Sequence, residues 1–86
     1  MADAEQILDV LIVDPNKIVY EGKAVKIFAP AKIGETAFLP QHTPLYTELE
    51  PGNVVIEEVN GNKVEQKIDG GVARIKNNTL KILIGF

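Results

Sequence analysis

With 86 residues, 45% of them apolar and 24% charged, the chain is sized for one domain, residues 1–86, that buries about 60% of the surface its unfolded form would expose. A net charge of −3 and a single arginine, Arg74, give no basic field for nucleic acid or an anionic membrane. The absence of cysteine excludes disulfides and thiolate-bound metal sites, and fits a reducing compartment.

The acidic start, residues 1–6, is expected to be loosely ordered. The apolar run behind it, about eight residues, is too short for a signal or spanning segment, so a soluble chain with at most a peripheral membrane role is expected. Ile7 to Asp14 is rich in β-branched residues and ends in the turn cluster Asp14-Pro15-Asn16-Lys17. Ile18 to Gly22 reads as a short strand closed by a bend or bulge at Gly22. Ala24 to Ala29 places Val25 and Ile27 on one face, with Lys26 and Phe28 on the other, which leaves Phe28 as an exposed aromatic. Pro30 to Gly34 is expected to break that strand, and Thr36 to Leu39 to form the next.

Pro40-Gln41-His42-Thr43-Pro44 follows. Each proline fixes its own φ and pushes the preceding residue toward extended geometry, so these residues form a pre-shaped corner. Such a corner loses little conformational entropy when a partner docks on it, although a plain structural turn is the commoner reading of such a local sequence. Leu45 to Leu49 leaves the corner, and Glu50-Pro51-Gly52-Asn53 has the residues of a β-turn. Val54 to Val59 and Lys63 to Asp69 form a hairpin over Asn60-Gly61-Asn62. A three-residue loop there sets Val54 against Ile68 and Ile56 against Gln66, with Lys63, Glu65, Lys67 and Asp69 facing water. Gly70-Gly71 permits a sharp reversal. Val72 to Lys76 and Leu80 to Phe86 pair over Asn77-Asn78, with Leu80, Ile82, Ile84 and Phe86 on one face. No helical period survives, and the breakers recur often enough to predict an all-β fold of about nine to ten short strands in two antiparallel sheets, a β-sandwich or flattened barrel.

Chemistry is hard to build from these residues. His42 is the only imidazole and has no cysteine or suitably spaced carboxylate for a metal. There is no serine, and Thr43 beside His42 points its side chain elsewhere if both are extended. Glu48 with Glu50, and Glu57 with Glu58, read as solvated faces rather than an acid and base. The glycines offer no phosphate-cradling loop. The expectation is no catalytic residue, no cofactor and no metal, hence a binding module. Glu21-Gly22-Lys23-Ala24 offers a second possibility, the lysine-bearing hairpin of a lipoyl or biotinyl carrier domain, though Lys23 lies early and within apparent strand. A ligand-binding β-sandwich is a third.

The ordered set Leu8-Asp9-Val10, Gly34-Glu35, Phe38 to Leu45, Pro51-Gly52 and Gly70-Gly71 resembles the N-terminal β-sandwich of the ε subunit of F-type ATP synthases, called δ in mitochondria, over nearly the whole chain from Leu8. The resemblance implies a non-catalytic rotor subunit at the foot of the central stalk, gripping the γ subunit and resting on the polar loops of the c-ring. It further implies a peripheral position on the cytoplasmic side of the membrane or its organellar equivalent. By the same resemblance Glu35 would face the c-ring, while His42, Thr43, Pro44 and Leu45 would lie toward γ. Gln41 stands where that family has glycine, so any positive φ there falls on a residue that tolerates it poorly. Glu50 stands where lysine is common. The family's C-terminal helical hairpin has no counterpart before Phe86, so its inhibitory and nucleotide-binding roles are not carried over.

Overall fold

A computed structural model describes residues 6–85, so the expectation for residues 1–6 lies, apart from Gln6, outside the described residues, as does that for Phe86. Six strands run in chain order: β1 Leu8–Val13, β2 Ile18–Ala31, β3 Gly34–Phe38, β4 Leu45–Glu58, β5 Lys63–Lys76 and β6 Thr79–Leu83. Hydrogen bonding is continuous around β1-β6-β5-β4-β2 and returns to β1, while β3 lies along the outer edge of β2. The all-β expectation holds, but the result is a closed, barrel-like sandwich of six strands and not nine or ten in two separate antiparallel sheets.

Most of the difference in strand number comes from three long strands. β2, β4 and β5 have 14 residues each, and each absorbs a predicted break. Glu50 to Asn53 is not a turn: Pro51 pairs with Asp69 and Gly52 with Ile68, inside the β4–β5 ladder. Nor does Gly70-Gly71 reverse the chain, since Gly71 pairs with Leu49. At this level the inward set changes phase on both strands, from Thr47 and Leu49 to Val54 and Ile56 on β4, and from Ile68 to Ala73 and Ile75 on β5. The ladder keeps one register from Leu45–Ile75 to Glu57–Lys63, so the two strands bend together as a ribbon. In β2 the phase change is a bulge between Ala24 and Lys26 rather than at Gly22, and the strand runs on through Pro30 to a turn at Lys32-Ile33. Pro30 sits where the β2–β4 register shifts, the kind of position at which its missing N–H costs least.

The β4–β5 hairpin faces were expected correctly, but its register is displaced by two residues. Val54 opposes Gln66 and Ile56 opposes Val64. A two-residue displacement leaves every side chain on its face, so hydrophobic alternation alone does not choose between the registers. Two turns form as expected. Asp14 Oδ1 accepts the N–H groups of Asn16 and Lys17 at 2.7 and 2.8 Å, and Asn77 and Asn78 both have positive φ, as a two-residue hairpin turn of type I′ requires.

β1 pairs antiparallel with β2 but parallel with β6, a pairing absent from the sequence expectation. The reason is arithmetic: strands cannot alternate direction all the way around a closed ring with an odd number of members, and five strands close this one. Among the described residues the core is aliphatic, with Leu8, Ile12, Ile27, Ile56, Ile75, Leu80 and Ile82 fully buried around one fully buried aromatic, Phe38.

Where the ribbon bends, the β5 backbone passes close to the end of β6, and a Cβ on Gly71 would land on the Leu83 carbonyl oxygen. Gly71→Ala should therefore cost more than about 2 kcal/mol, read as a lower urea midpoint with an unchanged slope.

Candidate functional site

The corner connects the end of β3 to the start of β4, and β3 anchors it. Phe38, the last residue of β3, is fully buried, and its ring lies 5.7 Å from the His42 ring at a 50° tilt. His42 N–H donates to the Leu39 carbonyl at 3.2 Å, and His42 Nδ1 sits 2.6 Å from the Thr43 carbonyl oxygen, a contact that places a proton on Nδ1. Both imidazole and backbone are thus tied within the loop. Thr43 and Pro44 are exposed, and Leu45, half-buried, opens β4 opposite Ile75. The structure therefore brings His42, Thr43, Pro44 and Leu45 together at one end of β3.

Gln41 has φ 63, the left-handed conformation that a residue with a Cβ adopts at a cost of about 1–2 kcal/mol. The concern raised by the missing glycine is real. One compensating contact comes from the β5–β6 turn, where Asn78 Oδ1 accepts the Gln41 N–H at 2.5 Å.

Glu35 lies elsewhere. It is the second residue of β3, exposed, paired with Pro30 near the Lys32-Ile33 turn, with the rest of β3 between it and the corner. That turn is braced: Lys32 N–H donates to the Glu48 carbonyl at 2.9 Å, and Lys32 Nζ lies 3.0 Å from the Glu48 carboxylate, which pushes the ammonium pKa up. Ile33 at its tip is 75% exposed.

Sequence reasoning missed several surface residues beside the corner. Leu39 is exposed, and Tyr46, at 66% exposure, sits directly opposite Arg74, which in turn sits opposite Lys81. Pro44, Leu45, Tyr46, Arg74, Ile75 and Lys76 line a shallow depression next to the loop. Strand alternation already places Tyr46 outward; only the strand pairing sets Arg74 opposite it. Phe28, expected to face out, is half-buried with Lys26 Nζ 5.5 Å above its ring, an arrangement that covers it with a cation.

The family model of the ATP synthase delta/epsilon chain, β-sandwich domain, matches residues 7–85. The chain belongs to this family. It is 34% identical over 73 residues to the ATP synthase epsilon chain of Xanthomonas euvesicatoria pv. vesicatoria (strain 85-10), an alignment covering 85% of this chain and 52% of that relative. It is 36% identical over 72 residues to the ATP synthase epsilon chain of Xylella fastidiosa (strain Temecula1 / ATCC 700964), covering 84% and 51%. The chain thus spans about half the length of the curated relatives it matches. It superposes with a TM-score of 0.87 on a chain of the Euglena gracilis mitochondrial ATP synthase, OSCP/F1/c-ring in rotational state 1, at 19% identity and covering 96% of this chain and 53% of that one. A chain of the Tetrahymena thermophila mitochondrial ATP synthase central stalk/c-ring gives 0.72 at 20% identity, covering 92% and 63%. At these identities the superpositions carry the fold.

Within this delta/epsilon fold Lys23 and Glu58 make structural contacts. Among the described residues no group of three His, Cys, Asp or Glu side chains could hold a metal ion, and no helix is long and apolar enough to cross a membrane. Lys23 lies within β2, opposite Asp9 and ion-paired to it, instead of at the hairpin tip that a carrier lysine occupies. Glu58 is not the solvated carboxylate expected from sequence: its Oε2 accepts the Tyr20 hydroxyl at 2.5 Å. Burial, then the Glu58 hydrogen bond and charge, push the Tyr20 phenol up to about 12. Folding thus favours the neutral phenol, a contribution present in full below the unfolded tyrosine value near 10 and lost as pH rises toward about 12. The Tyr46→Phe variant leaves Tyr20 as the only tyrosine, and its tyrosinate absorbance should rise with a midpoint near about 12 in the folded protein. Between about pH 10 and 12 the native protein should lose more stability than Tyr20→Phe does.

Proposed function

We propose that this β-sandwich is a non-catalytic rotor element of the central stalk of a proton- or sodium-translocating F-type ATP synthase, coupling the γ subunit to the c-ring through surface contacts. The observation that carries the proposal is membership of the delta/epsilon chain family across residues 7–85. The ATP synthase assemblies that contain the superposed Euglena and Tetrahymena chains support it.

The corner residues His42, Thr43, Pro44 and Leu45 dock on γ, with Leu39 and Tyr46 extending the apolar contact and Arg74 and Lys76 at its rim. The braced hairpin that bears Glu35, at the other end of β3, meets the polar loops of the c-ring. The element lies peripherally at the membrane, on the side where the stalk stands. A rotor part must transmit torque without shearing. A closed ladder with a loop tied at His42 and Gln41 suits that task, because docking then orders little that is not already ordered.

Co-purification with γ from the same source tests the assignment. The His42→Ala, Leu45→Ala double variant removes the His42 ring and the Leu45 side chain, which packs at the margin of the core, spares every fully buried residue, and should weaken γ binding at least about tenfold while remaining folded. Binding retained by the folded double variant would move the γ contact off the corner. No binding by the native chain would overturn the stalk assignment.

A further inference from the structure

The β5–β6 turn is remote from the corner in sequence, yet it holds it. Asn78 makes two contacts outside its own hairpin: its carbonyl accepts the Asp9 N–H at 2.9 Å at the edge of β1, and its side-chain Oδ1 accepts the Gln41 N–H at 2.5 Å. Gln41, at φ 63, occupies a conformation that persists only where the surroundings over-determine it. We propose that Asn78 is the positioning residue of the corner: its carboxamide keeps Gln41 in the left-handed region and thereby sets the direction in which His42, Thr43, Pro44 and Leu45 leave β3.

The inference rests on the corner being the docking surface proposed above. Loss of the Asn78 acceptor removes one hydrogen bond that supports the left-handed conformation of Gln41 and favours a return toward the right-handed or extended region. The peptide plane between Gln41 and His42 then rotates, and the His42 ring leaves Phe38. Residue 78 meets two separate requirements, a positive φ of its own (58) for the turn and a side-chain acceptor aimed at the corner. Asparagine meets both, aspartate also offers both, and glycine meets only the first.

That separation makes Asn78→Gly the informative variant. Asn-Gly is a favoured pair for a two-residue hairpin turn, so the β5–β6 connection survives while the strap is lost. Backbone amide hydrogen exchange of the isolated chain, followed residue by residue by NMR, should show Gln41 and His42 exchanging about tenfold faster in Asn78→Gly, with Ala73 and Ile82 unchanged. Asn78→Asp should restore the protection. Affinity for γ should fall several-fold in Asn78→Gly and return in Asn78→Asp. Unchanged exchange at Gln41 in Asn78→Gly would overturn the strap itself. Faster exchange with unchanged γ affinity would overturn its role in positioning the dock. If the native chain fails to bind γ, the docking surface is refuted separately, and the exchange result alone decides whether Asn78 holds the corner.

Discussion

Closure of the ladder by β1 is the constraint on which the rest of the structure depends. β1 contributes only Leu8–Val13, but it pairs with β2 on one side and β6 on the other, joining the first and last parts of the chain. Leu8, Val10 and Ile12 point into the core from this strand, so one short segment both satisfies two strand edges and fills the centre. Because the ring has an odd number of strands and its other four pairs are antiparallel, β1 and β6 run parallel. That brings the start of β1 beside the Asn77-Asn78 turn, where Asp9 N–H meets the Asn78 carbonyl. The turn that supports the corner is therefore located by ring closure.

The second constraint is the shared bend of β4 and β5. A sandwich this small needs its long strands to contribute to both faces of the core, and three 14-residue strands do so. In β4 and β5 the backbone switches its inward face at the same level without a change of register, so no hydrogen-bonded pairing is displaced beyond the bend. Gly52, Gly70 and Gly71 all have positive φ there, and the Gly71 backbone approaches Leu83 too closely for a side chain. The body that results is stiff in the sense that matters for a proposed torque-bearing part: its strands continue through the bends rather than being joined at flexible loops.

Strand chemistry, the aliphatic inward faces, the Asp14 and Asn77-Asn78 turns, and the order of landmarks that marks the family are all legible in the sequence, because each depends on residues a few positions apart. The rigid corner is legible for the same reason, through Pro40 and Pro44. Strand count is not. A change of alternation phase next to Pro51-Gly52 or Gly70-Gly71 looks the same whether the chain turns or bends, and only the partner strand distinguishes them. Hairpin register fails similarly, since a two-residue displacement preserves both faces. The hydrogen bond between Glu58 and Tyr20, 38 positions apart, leaves no local trace. The sequence by itself determined an all-β member of the delta/epsilon family with a stiff corner, because periodicity and turn chemistry are local. Only the tertiary structure decided the closed ring, the continuous strands and the Asn78 support beneath Gln41, because each is a pairing between residues that only the folded chain brings together.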